Sequence, residues 1–65
     1  MITIERTWHQ GNEHIVDRAA GETIRLALVS FTTGYPLHGE DLDNAVTDLI
    51  FDGEALWSWY TYKRI

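Results

Sequence analysis

The side chains able to do chemistry fall into three groups. His9 and His14 flank the pair Gly11-Asn12, with Gln10 and Glu13 one step closer to it. If Gly11-Asn12 is a turn, the two imidazoles meet across it. Two imidazoles and a carboxylate are donors for zinc or another transition metal. On an exposed turn, however, nothing outside the ligands would fix their orientation. The simpler reading is an exposed cross-strand histidine pair, and no metal or other cofactor is expected.

The second group is a set of hard oxygen donors, Asp41, Asp43, Asp48, Asp52 and Glu54. Their spacing misses the calcium-loop pattern, because Ala45 stands where a third ligand belongs and no glycine follows. They read as a solvated helix face. Ser30 and Ser58 lie in no nucleophile-elbow context, and there is no glycine-rich phosphate loop. So short a chain also has difficulty enclosing a ligand pocket of roughly 300–1,000 Å3. An enzyme is not expected.

The third group is acidic and aromatic. From Leu26 to Tyr62 there are six carboxylates and no lysine or arginine, and the segment ends in Trp57-Ser58-Trp59-Tyr60-Thr61-Tyr62. Tyrosine and tryptophan are favoured interface anchors. Carboxylates complement a basic surface. The expected partner-binding residues are therefore Glu40, Asp41, Asp43, Asp48, Asp52, Glu54, Trp57, Trp59, Tyr60 and Tyr62. The same rings could stack single-stranded bases. Without a basic groove the phosphate backbone would go unneutralised, so direct nucleic-acid binding is not expected.

The chain has 65 residues, enough for one domain spanning 1–65. A domain this small buries only roughly 60% of its unfolded surface. It usually needs a staple, and with no cysteine a disulfide cannot serve. Self-association as a dimer is the simplest replacement. An apolar content of 45% argues for a folded globule over a disordered tail. No apolar run approaches the ~20 residues of a membrane span, and Glu5 with no basic stretch before it argues against a signal peptide. A cytoplasmic protein is expected. The formal net charge of −5 is uneven: residues 1–25 hold three arginines against four acids, and Lys63 and Arg64 close the chain.

Local patterns position these groups. Ile2, Ile4 and Trp8 alternate with Thr3, Glu5 and Thr7, as in a strand. A Gly-first pair at 11–12 suits a type II′ hairpin turn. Counting back from it pairs Gln10 with Glu13, His9 with His14, Trp8 with Ile15, Arg6 with Asp17 and Glu5 with Arg18. Two opposite-charge rungs result, each worth roughly 0.2–1 kcal/mol, and a one-residue slip would lose both. Gly21-Glu22 predicts a second turn and a third strand running to Phe31. Ile2, Ile4, Trp8, Ile15, Ile24, Leu26 and Leu28 then form one core face. Arg6 and Asp17 intrude on that face and must be paired or near its edge. Glu5, Arg18 and Arg25 line the other. A competing reading makes 13–31 one helix, at a cost of about 1 kcal/mol for Gly21.

Thr32 to Gly39 is a connector. Leu42, Ala45, Val46, Leu49 and Ile50 repeat with helical spacing, Asp41 or Asp43 can cap the start, and Gly53 suits the end. Ala55 to Lys63 predicts a final strand, with Trp57, Trp59 and Thr61 on one face and Leu56, Ser58, Tyr60 and Tyr62 on the other. The fold class is α+β, in the order β-β-β-α-β: a three-stranded antiparallel meander, one amphipathic helix on its apolar face and a C-terminal strand joining the sheet.

The functional expectation is a non-enzymatic interaction protein meeting a basic, nucleic-acid-handling surface of a protein partner. In size and charge the chain resembles the small acidic accessory proteins by which phages and mobile elements block host machinery, some of them nucleic-acid mimics. Two alternatives stand beside it: a small metal- or ligand-binding module built on His9 and His14, and a single-stranded nucleic-acid binder working by aromatic stacking.

Overall fold

The computed structural model describes all residues, 1–65. The fold class is α+β, as expected, but the element order differs. Strand β1 (Ile2–Gln10) and strand β2 (Glu13–Gly21) form a hairpin. Two helices follow, α1 (Ile24–Val29) and α2 (Gly39–Phe51). A second hairpin, β3 (Glu54–Trp57) and β4 (Tyr60–Arg64), ends the chain. The strands form one antiparallel sheet in the order β2-β1-β4-β3.

The first hairpin has the predicted register at every rung counted from the turn, from Gln10↔Glu13 to Glu5↔Arg18. Gly11 takes a positive φ of 59° and Asn12 does not, as a type II′ turn requires. The predicted third strand is instead α1. Thr23 caps it, its Oγ1 accepting from Leu26 N at 3.1 Å. Ile24, Ala27, Leu28 and Phe31 are buried at i, i+3, i+4 and i+7. Gly21 serves packing here and not a turn. A Cβ on it would sit 2.5 Å from Ala27 N, so glycine lets α1 lie directly on β2. Leu26, predicted in the core, is consequently half exposed, and Arg25 pairs with Asp43 of α2 instead of extending the Glu5–Arg18 row.

Helix α2 covers the predicted 42–50 and adds a residue or more at each end. Neither Asp41 nor Asp43 is its N-cap. His38 holds that position without a side-chain bond, and Glu40 and Asp41 lie in the first turn, where they suit the helix dipole. The end is as expected: Gly53 has φ 73° and its N–H donates to Leu49 O. Ile50, counted with the apolar face, is exposed.

The predicted single strand 55–63 is broken by a turn at Ser58-Trp59, with Ser58 at φ 54°. The turn cancels the simple alternation. Trp57, Tyr60 and Tyr62 now share a face, and Leu56 shares the other with Thr61. Both helices cover the face carrying Ile4, Arg6, Ala55, Tyr60 and Tyr62, and all five are buried against them. Trp8 packs against this core from its margin, whereas Ile15 is half exposed on the outermost strand. The other sheet face has no cover.

Main-chain bonds alternate along β1. Its odd residues face β4, as in His9 N to Trp59 O at 2.9 Å and Ile65 N to Thr3 O at 3.1 Å. Its even residues therefore face β2. With the registers known, the outward main-chain groups of the two edge strands are those of His14, Val16, Arg18 and Ala20 on β2, and of Glu54 and Leu56 on β3.

Candidate functional site

The charge distribution follows from which ions are paired. Arg6–Asp17, Arg18–Glu5 and Arg25–Asp43 are the ion pairs, at 2.6, 3.0 and 2.7 Å. All three arginines of residues 1–25 are thus engaged. Of the unpaired acids, Glu40, Asp41 and Asp48 lie on α2, Asp52 caps its C-terminus and Glu54 starts β3. Lys63, cross-strand from Glu54, is the nearest base in the sheet and offsets part of that charge.

Asp41, Asn44 and Asp48 recur at i, i+3 and i+7, so they form one ridge along α2. Asp52 continues it. The ridge borders β3: Asp41 and Asp48 line a shallow hollow with Leu56 and Trp57, and Asp48, Asp52 and Glu54 line a second with Leu56. Glu40 is exposed but lies off the ridge, and Asp43 faces α1. Thus Asp41, Asp48, Asp52, Glu54 and Trp57 of the predicted set are brought together.

The remaining aromatic residues separate from them. Tyr60 and Tyr62 are core residues and offer no docking surface, because the turn at 58–59 points both inward under the helices. Tyr60 lies between Trp8 and Trp57, with ring centroids 6.3 and 6.2 Å away. Its hydroxyl also accepts from Tyr35 N at 3.2 Å. Trp59 is 62% exposed but lines a different hollow, with Trp8, His9 and Tyr35.

Phe51 and Leu56 were not among the expected contact residues. They are 80% and 75% exposed, the most exposed large apolar side chains after Met1. Phe51 stands one turn beyond Asp48 on the same flank of α2. Its signal was present in the sequence: a bulky aromatic off the Leu42-Ala45-Val46-Leu49 stripe. Leu56 shares its hollow with Asp48, Asp52 and Glu54.

His9 and His14 meet edge to face, with ring centroids 4.9 Å apart, and His9 Nε2 lies 3.0 Å from Thr61 Oγ1. No group of three or more histidine or acidic side chains is arranged to hold a metal ion.

The strongest electrostatic feature lies inside the protein. Arg6 is 4% exposed between the rings of Phe31 and Tyr60, 4.4 and 4.8 Å from their centroids. It donates to both Asp17 oxygens and to Thr33 O. Burial pulls its pKa down, but the hydrogen bond and charge of Asp17, helped by Tyr62 and Tyr60, leave it raised. Burial raises the pKa of Tyr62 above its ordinary value, and the Arg6 charge only partly opposes this. Arg6 thereby ties the 32–37 connector to the sheet and is structural.

No protein family, curated protein or solved structure matches the chain. No helix is long and apolar enough to cross a membrane.

Proposed function

We propose that this chain is a non-enzymatic interaction protein that binds a basic protein surface through the α2–β3 edge. One observation carries the reading. Leu56, 75% exposed, lines the hollows with Asp41, Asp48, Asp52 and Glu54, none of them in an ion pair, and the 80% exposed Phe51 precedes Asp52 in the chain, with Lys63 opposite Glu54 as the one neighbouring base in the sheet. Apolar anchors with a charged rim are the usual anatomy of a binding patch. Asp41, Asp48, Asp52 and Glu54 steer and orient a basic partner. Leu56 and Phe51 supply the desolvated contact, with Trp57 beneath. A partner that normally grips phosphates fits such a surface, so a phage- or mobile-element-type inhibitor of nucleic-acid-handling machinery is the favoured biological setting.

The test compares the unaltered protein with Asp48→Asn/Asp52→Asn/Glu54→Gln and with Leu56→Ser as baits. Captured proteins should have basic surfaces, should be released by raised salt and should be displaced by duplex DNA. Both variants should fold, by circular dichroism, and capture less. Undiminished capture by the neutralised bait rejects the reading.

A further inference from the structure

We propose that two copies of this chain pair through the open edge of β2, antiparallel about a two-fold axis at Val16, joining their sheets into one. Strand β2 pairs with β1 over all nine of its residues without a bulge. It carries no proline and no lysine. Bulges, prolines, lysines and other charged side chains are the devices by which monomeric proteins blunt a sheet edge. Of the charges on β2, Asp17 and Arg18 are already paired with Arg6 and Glu5 of their own chain, leaving Glu13 beside the turn. The outward main-chain groups of His14, Val16 and Arg18 have no partner within the chain. At Ala20 the edge meets the end of α1, where Ser30 Oγ, donating to Leu26 O at 2.8 Å, lies 3.5 Å from the Ala20 carbonyl. Ile15 and Val16, at the middle of the open stretch, are 50% and 53% exposed, one on each face.

Charge selects the occupant and the register. A second copy must place an outward residue of β2 opposite an outward residue of its twin, or centre on a residue between two of them. Centring on Ile15 sets Glu13 against Asp17 of the twin. Centring on Asp17 or Arg18 sets each against itself. Centring on His14 runs the pairing into the Gly11-Asn12 turn. Centring on Val16 opposes His14 with Arg18, Ile15 with Asp17 and Glu13 with Ala19, so no two acids and no two arginines face each other. It also uses every open group of residues 14–18, for about six hydrogen bonds. Arg18 stays neutralised by Glu5 of its own chain, 3.0 Å away. The other edge is unsuited to self-pairing. Strand β3 has four residues, carries Glu54 and lies beside Asp48 and Asp52, so two copies would repel there.

Sedimentation equilibrium tests the pairing. The unaltered chain should reach twice its monomer mass as concentration rises. Val16→Pro should remain a monomer with an unchanged sheet signal, because the N–H it removes points away from β1 and proline is tolerated on such an edge. Val16→Lys, which sets two ammonium groups across the axis, should do the same and serves if the proline variant unfolds. The register is read with spin labels, since the chain has no cysteine to interfere. A nitroxide on Val16→Cys should show dipolar broadening lost on dilution with unlabelled protein, because the paired Cα atoms would be about 5.5 Å apart. One on Ala20→Cys should not, at roughly 27 Å. A monomer at the highest soluble concentration, a dimer indifferent to Val16→Lys, or broadening at position 20 and not at 16 overturns the proposal.

Discussion

Arg6 and Asp17 stand opposite each other on β1 and β2, and the guanidinium meets the carboxylate in a two-point fork, Nε to Oδ1 at 3.0 Å and Nη2 to Oδ2 at 2.6 Å. The arginine is buried, whereas 41% of the Asp17 side chain is exposed. Removing the acid would strand a buried cation. Asp17→Ala should therefore cost about 3 kcal/mol, the low end for breaking a buried pair because water reaches the carboxylate. A chain of this size has only roughly 3–10 kcal/mol in all, so urea unfolding should show a large loss. The double variant Arg6→Met/Asp17→Leu should be more stable than Asp17→Ala, since it leaves no charge unpaired.

Gly34 seats the connector on the sheet. It has φ 76°, and a Cβ there would lie 2.3 Å from the Tyr60 hydroxyl. Gly34→Ala should cost more than about 1 kcal/mol from the left-handed backbone alone. It should also disturb the bond from Tyr35 N to Tyr60. Thermal melting should show the loss, and amide exchange at Tyr35 should quicken.

Ser58 takes the left-handed conformation without being glycine. Its strain is of order 1 kcal/mol. Ser58→Gly should relieve it, partly offset by the greater freedom of glycine in the unfolded chain. The net effect should be a gain of about 0.5 kcal/mol, or roughly 2–4 °C in Tm for a domain this small. An unchanged or lowered Tm would contradict this account of the turn.

Tyr62 sets an alkaline limit. Its folded pKa is raised from 10.0, chiefly by burial. The folded state then holds the phenolic proton more tightly than the unfolded state. The associated stability is complete below the unfolded value near 10 and falls as pH climbs towards the folded pKa. Melting followed from about pH 8 to about pH 11 should show this decline. Tyr62→Phe should flatten it relative to the unaltered chain.

The first hairpin was legible because its determinants are local. A Gly-first turn and two charge pairs a few rungs away agree on one register, and no distant residue has a vote. Helix α2 was legible from its apolar stripe. At Gly21-Glu22 the local signals conflicted: glycine and β-branched residues suggested a turn and strand, while Ile24, Ala27, Leu28 and Phe31 kept helical spacing. Packing against β1 and β2 resolved the conflict, with Gly21 admitting the helix backbone. For the site, the carboxylates were legible as a group. Their assembly with Leu56 and Trp57, apart from Trp59, was not.

By itself the amino-acid order determined the pairing of β1 with β2, the extent of α2 to within a few residues and the acidic bias of its second half, because turn, stripe and charge act between near neighbours. Only tertiary structure decided that residues 24–29 coil, that a serine turns the last strand back on itself and that Tyr60 and Tyr62 lie inside. Those outcomes depend on apolar area buried between segments far apart in the chain. That energy outweighs the propensity of any one residue; its one periodic trace, the spacing of Ile24, Ala27, Leu28 and Phe31, competed with strand and turn signals in the same segment.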